Sequence, residues 1–276
     1  GQLEELLEWA RWMGLADWFF NEVDWTDYRD NEGSPEAYFS LLMDEGKYDQ
    51  VLDMTETSAT QGEEEMSVFL YYRSLALARL GEEERARSTL ELAVQTVNPD
   101  NPAKLERFLV RDGEWKMLIQ LYDIILENDP ANNSYRMKAL AARYYSGDQD
   151  SMPPILANVD VEELSSTPDM QGFYLYLRLL AEGYSSNVHK ELERLVTRYP
   201  ELFDFRVILG VSYTLQGRNR LSSDLLEGMP PLNSSAPRYI RIAAIIAGKK
   251  DSSLLLPGEM ESLLPRERYL VSLRLE

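Results

Sequence analysis

The 276-residue chain contains no cysteine and a single histidine. The first absence removes disulfides, thiolate metal sites and cysteine nucleophiles. The second leaves a serine triad or a multi-histidine metal site with little to work with. His189 falls between Val188 and Lys190 in a helical pattern and is expected to be a partly exposed helix residue. Long apolar runs are also missing: the longest stretches, such as YIRIAAIIAG, are broken by Arg241 or by glycine, well short of the roughly 18 apolar residues of a membrane span. Alternating apolar–polar patterns are short, so no strand is predicted. Phosphate-binding glycine loops, H-E-x-x-H and G-x-S-x-G are absent as well, and the expectation is a non-enzyme with no catalytic residue, metal or cofactor. Two acidic segments, GDQDSMPP and DYRDNEG, do not place the glycine and closing glutamate of a calcium loop and read as turn and cap residues.

Basic charge is scarce. Lys and Arg number 28 against 47 Asp and Glu, a net charge of −19. The imbalance is concentrated: residues 1–62 hold 15 acids and 3 bases, whereas residues 201–276 hold 9 and 10. Such a field repels nucleic acid and anionic lipid from the N-terminal half and favours a basic protein or peptide there. The composition predicts a soluble chain with no direct membrane insertion. It leaves the compartment, cytoplasmic or exported, open, because the chain starts at Gly1 and reads as cut or processed, with any signal or anchor removed.

What the chain does have is a period. Gly14, Gly46, Gly81, Gly113, Gly147, Gly183, Gly217 and Gly248 are separated by 32, 35, 32, 34, 36, 34 and 31 residues. Each follows a segment with apolar residues at i, i+3, i+4 and i+7, such as EMSVFLYYRSLALARLG and FDFRVILGVSYTLQG, as an amphipathic helix requires. A glycine just past such a run supplies a left-handed helix end. A second helical run follows most of them, including EEERARSTLELAVQTV and EWKMLIQLYDIILEN, and several stop at Pro99, Pro130 and Pro200. The unit is helix, glycine turn, helix, loop, and stacking is what lets such units share a core.

These residues resemble a tetratricopeptide repeat protein. In VILGVSYTLQGR, Leu209, Gly210 and Tyr213 lie eight, seven and four residues before the turn glycine, as in that family's pattern. Ser74 takes the same small-residue slot before Gly81, and Ala86, Leu90 and Ala93 follow it at the family's spacing. Glu106, Leu140 and Arg241 depart from the slot, and the region after Gly217 leaves room for only a shortened second helix. The resemblance implies an all-α fold: a right-handed α-solenoid of about seven to eight antiparallel helix hairpins. Residues 1–33 would form an atypical N-terminal hairpin, 34–228 the central repeats and 229–276 a degenerate C-terminal cap.

It also implies a non-catalytic interaction scaffold, with first helices lining a concave groove for a peptide or protein segment. Carrying the slots over places Tyr71, Tyr72, Leu75, Arg107, Arg111, Lys138, Phe173, Tyr174, Leu177, Val207 and Val211 on that wall. The Lys/Asn pairing by which some members hold a C-terminal carboxylate is missing. Two rivals stay open: a structural or assembly subunit binding through its outer surface or ends, and an α/α toroid acting on glycans. The N-terminal stretch LADWFFNEVDW bears on the first rival, because four of the five tryptophans precede residue 26. Read as the second helix of the first hairpin, it sends Phe19 and Val23 to the core. Trp18, Trp25 and Tyr28 then form an opposite stripe that docks a partner or caps the stack.

Overall fold

All eight periodic glycines have φ between 68° and 116°, a region that costs an L-residue with a side chain about 1–2 kcal/mol. The chain turns where that period places the turns. The computed structural model describes residues 2–30, 33–58, 66–232, 234–249 and 251–275, and every regular element among them is helical. Asn31 and Glu32 of the acidic DYRDNEG segment lie outside the described residues. The chain divides into two compact units, Gly1–Ile125 and Leu126–Glu276.

The first unit contains α1 (Gln2–Met13), α2 (Ala16–Glu22), α3 (Trp25–Asp30), α4 (Pro35–Asp44), α5 (Tyr48–Ser58), α6 (Met66–Arg79), α7 (Glu83–Gln95), α8 (Ala103–Asp112) and most of α9 (Trp115–Asn128). The pairs α1–α2, α4–α5 and α6–α7 pack together across Gly14, Gly46 and Gly81. α7 and α9 end before Pro99 and Pro130, as a residue without a backbone N–H and with a fixed φ requires.

The N-terminal stretch departs from the single helix expected of it. Val23 is extended (φ −128°, ψ 106°), and Asp24 Oδ1 accepts the Asp27 N–H at 2.9 Å, which starts a new helix in the manner of an N-cap. This break turns Trp25 and Tyr28 inward. Tyr28 is fully buried and lies 5.1 Å, ring to ring, from Tyr38. Trp25 lies 5.0 Å from Phe39. Gly33 leaves room for the Tyr28 ring, since a Cβ there would stand 2.4 Å from Cε1. Both residues join an aromatic column that continues through Phe39–Tyr72 (5.5 Å), Tyr71–Tyr72 (5.3 Å) and the stacked pair Tyr71–Phe108 (4.7 Å). Tyr28 is therefore core, with Phe19 and Val23, and Trp25 is half-buried against the same rings, so neither stands in an outward stripe. Trp18 remains 42% exposed.

The second unit contains α10 (Asn133–Ser146), α11 (Pro153–Leu156), α12 (Val161–Leu164), α13 (Pro168–Glu182), α14 (Ser186–Arg198), α15 (Phe203–Leu215), α16 (Asn219–Leu225), α17 (Arg238–Ala247), a 3-10 turn at Ser252–Leu254, α18 (Glu259–Ser262) and α19 (Pro265–Leu275). α16 is the shortened helix expected after Gly217. After Gly147 and Gly248 the second helix is replaced by short pieces, α11 with α12 and the 3-10 turn with α18. In GDQDSMPP, Asp148 accepts from the Ser151 hydroxyl and Met152 begins the next turn, a cap-and-turn role. α15 packs against α14, α16 and α17, and α17 against α19. Gly210 permits that closeness, for a Cβ there would stand 2.7 Å from Ala247 Cβ and 3.2 Å from Ser222 Oγ.

One polar cluster is sealed in this core. Glu267 is fully buried. Its Oε1 accepts from Tyr176 Oη at 2.6 Å and Tyr144 Oη at 3.0 Å, and Oε2 accepts the Leu264 N–H at 3.0 Å. The last bond closes the first turn of α19, as a glutamate at the third helical position does in a capping box.

Candidate functional site

Consecutive first helices of the first unit build a cleft of about 700 Å3. α1 contributes Arg11, α4 contributes Ser40, Met43 and Asp44, α6 contributes Tyr71, Tyr72, Leu75 and Arg79, and α8 contributes Arg111 and Asp112. Tyr48, Leu90 and Glu114 complete the lining. Sequence slots had named four of these positions, Tyr71, Tyr72, Leu75 and Arg111, and the fold brings them together. Arg107, also on α8, is exposed and pairs with Glu36.

Their roles differ from those of open-wall anchors. Tyr71 and Tyr72 are each 1% exposed, because α6 packs against α4, α5, α7 and α8 and has little free face. Their rings belong to the aromatic column, and it is their hydroxyl ends that reach the cleft. Tyr71 Oη donates to Asp112 Oδ2 and accepts from Arg111 Nη2 at 2.7 Å, while Arg111 Nε donates to Asp112 Oδ1 at 2.9 Å. This closed ring holds the guanidinium and carboxylate of α8 against α6. Burial, then the bonded Asp112, raises the Tyr71 pKa above its ordinary value, so the phenol stays protonated and donating. Tyr72 Oη shares a 2.8 Å hydrogen bond with Ser40 Oγ. Arg11 pairs with Asp44, whereas Arg79 makes no hydrogen bond or ion pair among the described residues. A floor of bonded polar groups with one uncommitted guanidinium suits the backbone and side chains of a polar peptide better than an apolar ligand.

In the second unit the expected wall does not form. Tyr174, Leu177, Val207 and Val211 are buried at 3%, 0%, 0% and 0% exposure. They pack in the core that α13, α15 and α17 share, so these four are structural rather than exposed. Phe173 is half-buried between Tyr144 (5.5 Å) and Tyr239 (5.0 Å). Lys138 lies half-buried on α10, its Nζ 4.6 Å from the Tyr135 ring centroid.

His189 is buried rather than partly exposed. Nδ1 meets Ser212 Oγ at 2.9 Å, and Nε2 lies 3.5 Å from Glu193. The trio has the residue types of a hydrolytic triad, but Ser212 is fully buried, so its hydroxyl ties α15 to α14 instead of facing a substrate.

Three of the cleft residues that the slots missed share a signal with Arg111, which they named. Arg11, Asp44, Arg79 and Arg111 stand three, two, two and two residues before successive turn glycines, so charge recurs at the last turn of these four first helices. No protein-family model, curated protein or solved structure matches this chain.

Proposed function

We propose that the protein is a non-catalytic interaction scaffold of the tetratricopeptide-repeat kind, and that the cleft of its first unit takes an extended peptide segment of a partner protein. One observation carries this reading: a single cleft is lined in order by four successive first helices, α1, α4, α6 and α8, the elements that line the groove in the family the sequence resembles. Arg79 would take a carboxylate or carbonyl of the segment, and the Tyr71–Arg111–Asp112 ring would supply fixed donors and acceptors. A displayed peptide library panned against the intact chain tests it. Binders should lose at least ten-fold in affinity to an Arg79→Ala/Leu75→Asp variant whose thermal melt is unchanged. Binders indifferent to that variant remove the cleft from the function.

A second reading, assembly through the N-terminal hairpin, is favoured by a separate observation: Trp9, Trp12 and Trp18 are 45%, 83% and 42% exposed. An exposed apolar end is what an unfinished helical stack presents to a partner.

A further inference from the structure

The exposed face of α1 carries more than apolar surface. At 100° per residue, Glu5, Glu8, Trp9 and Trp12 fall within an arc of about 100°, opposite the side that buries Leu7 and Ala10. All four are exposed. Trp18 of α2 extends the stripe, its ring standing edge-on to Trp9 at 6.1 Å. Three indoles exposed to this degree leave on the order of 400 Å2 of mostly apolar surface in water, a patch of the size that is often functional on a monomer.

The carboxylates give the patch a sign. Glu5 and Glu8 make no hydrogen bond or ion pair among the described residues. Of the basic side chains in this segment, Arg11 pairs with Asp44, and Lys47 with Asp17 at 2.8 Å. Residues 1–62 hold 15 acids against 3 bases, so the stripe sits in a strongly acidic segment. Alternating indoles and unpaired carboxylates over two helical turns suit one chemistry: cations on hydrocarbon stems, which stack over an indole face and pair with an adjacent carboxylate at once.

We infer that the Glu5–Glu8–Trp9–Trp12 stripe, with Trp18, docks a basic amphipathic helix of a partner protein. Lys or Arg side chains spaced by one turn would lie over Trp9 and Trp12 beside Glu8 and Glu5, with Leu-type side chains between the indoles. A second copy of this chain fits less well, because an isologous contact would set the same carboxylates against each other. An anionic lipid surface is repelled by them. The inference rests on the assembly reading and adds the partner's chemistry to it.

The test uses the intact chain and two fluorescein-labelled amphipathic peptides of one pattern, one Leu/Lys and one Leu/Glu, read by anisotropy at several salt concentrations. The Leu/Lys peptide should bind and the Leu/Glu peptide should not. Trp12→Ala should weaken binding at least ten-fold, and Glu5→Gln/Glu8→Gln about five-fold, with a flatter salt dependence. Trp12 is 83% exposed, so an unchanged circular dichroism melt will show that these variants fold, and Arg79→Ala in the cleft should leave this binding unchanged. Equal binding of both peptides, or self-association by sedimentation that Trp12→Ala abolishes, would overturn the basic partner yet keep the assembly reading. Binding that ignores Trp12→Ala would remove both.

Discussion

At the scale of single residues, the strongest constraint is Glu267, a carboxylate with no exposure and three hydrogen-bond donors. Glu267→Ala leaves two buried phenols and a helix-start N–H without their acceptor, and is expected to cost about 3 kcal/mol, read as a loss of urea stability. Burial raises this carboxyl above its ordinary 4.5, against the opposing pull of the Tyr176 hydroxyl, the Leu264 N–H, Arg238 and the Tyr144 hydroxyl. A group raised in the native state gives stability that is full below its unfolded pKa and lost as pH rises through the native one. Wild type should therefore lose stability relative to Glu267→Gln as pH climbs from 4.5, and a constant difference would show that the carboxyl is not raised. The same scale shows what a one-sided helix reading misses. Tyr71 and Tyr174 were placed on an open wall, but each packs on several helices. Alanine at either is expected to cost about 3–5 kcal/mol of folding stability. Neighbouring elements decide that burial, and spacing along one helix does not contain it.

At the scale of elements, the period was legible because the backbone enforces it: each turn glycine holds a conformation that other residues adopt only under strain. The paths between glycines were partly legible. Two of the three copies that depart from the small-residue slot, those with Leu140 and Arg241, are the copies whose second helix is broken. Arg241 shows why. Its guanidinium reaches Glu259 at 2.8 Å and the carbonyl of Leu254, fastening a short segment where a packed helix would stand. The glycines also separate two physical causes. Gly14 has φ 68° with nothing near its missing Cβ, whereas Gly210 lacks a positive φ and would clash with Ala247. Gly14→Ala is expected to cost about 1 kcal/mol through backbone strain alone. Gly210→Ala should cost about 1–3 kcal/mol by forcing α15 and α17 apart. Chemical denaturation of the two variants checks the order, and Gly14→Asn should recover part of the loss where no substitution at Gly210 does.

At the scale of the whole molecule, charge and aromatic rings are distributed unequally. Most of the acidic excess, −12 of −19, lies in residues 1–62, and the candidate cleft and indole stripe both belong to the first unit. The sequence carried the charge asymmetry plainly, but not which tryptophans it would leave outside, because that depended on the local break at Val23. The same asymmetry makes the molecule its own optical probe. All five tryptophans, Trp9, Trp12, Trp18, Trp25 and Trp115, fall between Gly1 and Ile125. Indole emission thus reports on the first unit alone, while far-ultraviolet circular dichroism sums both. Glu267→Ala, which weakens only the second core, should lower a dichroism midpoint by about 10 °C and leave the emission midpoint in place. Midpoints that move together would mean that the two units melt as one cooperative body. Every titration of the wild-type chain followed by fluorescence is then, without labelling, a measurement made on the half that carries both binding candidates.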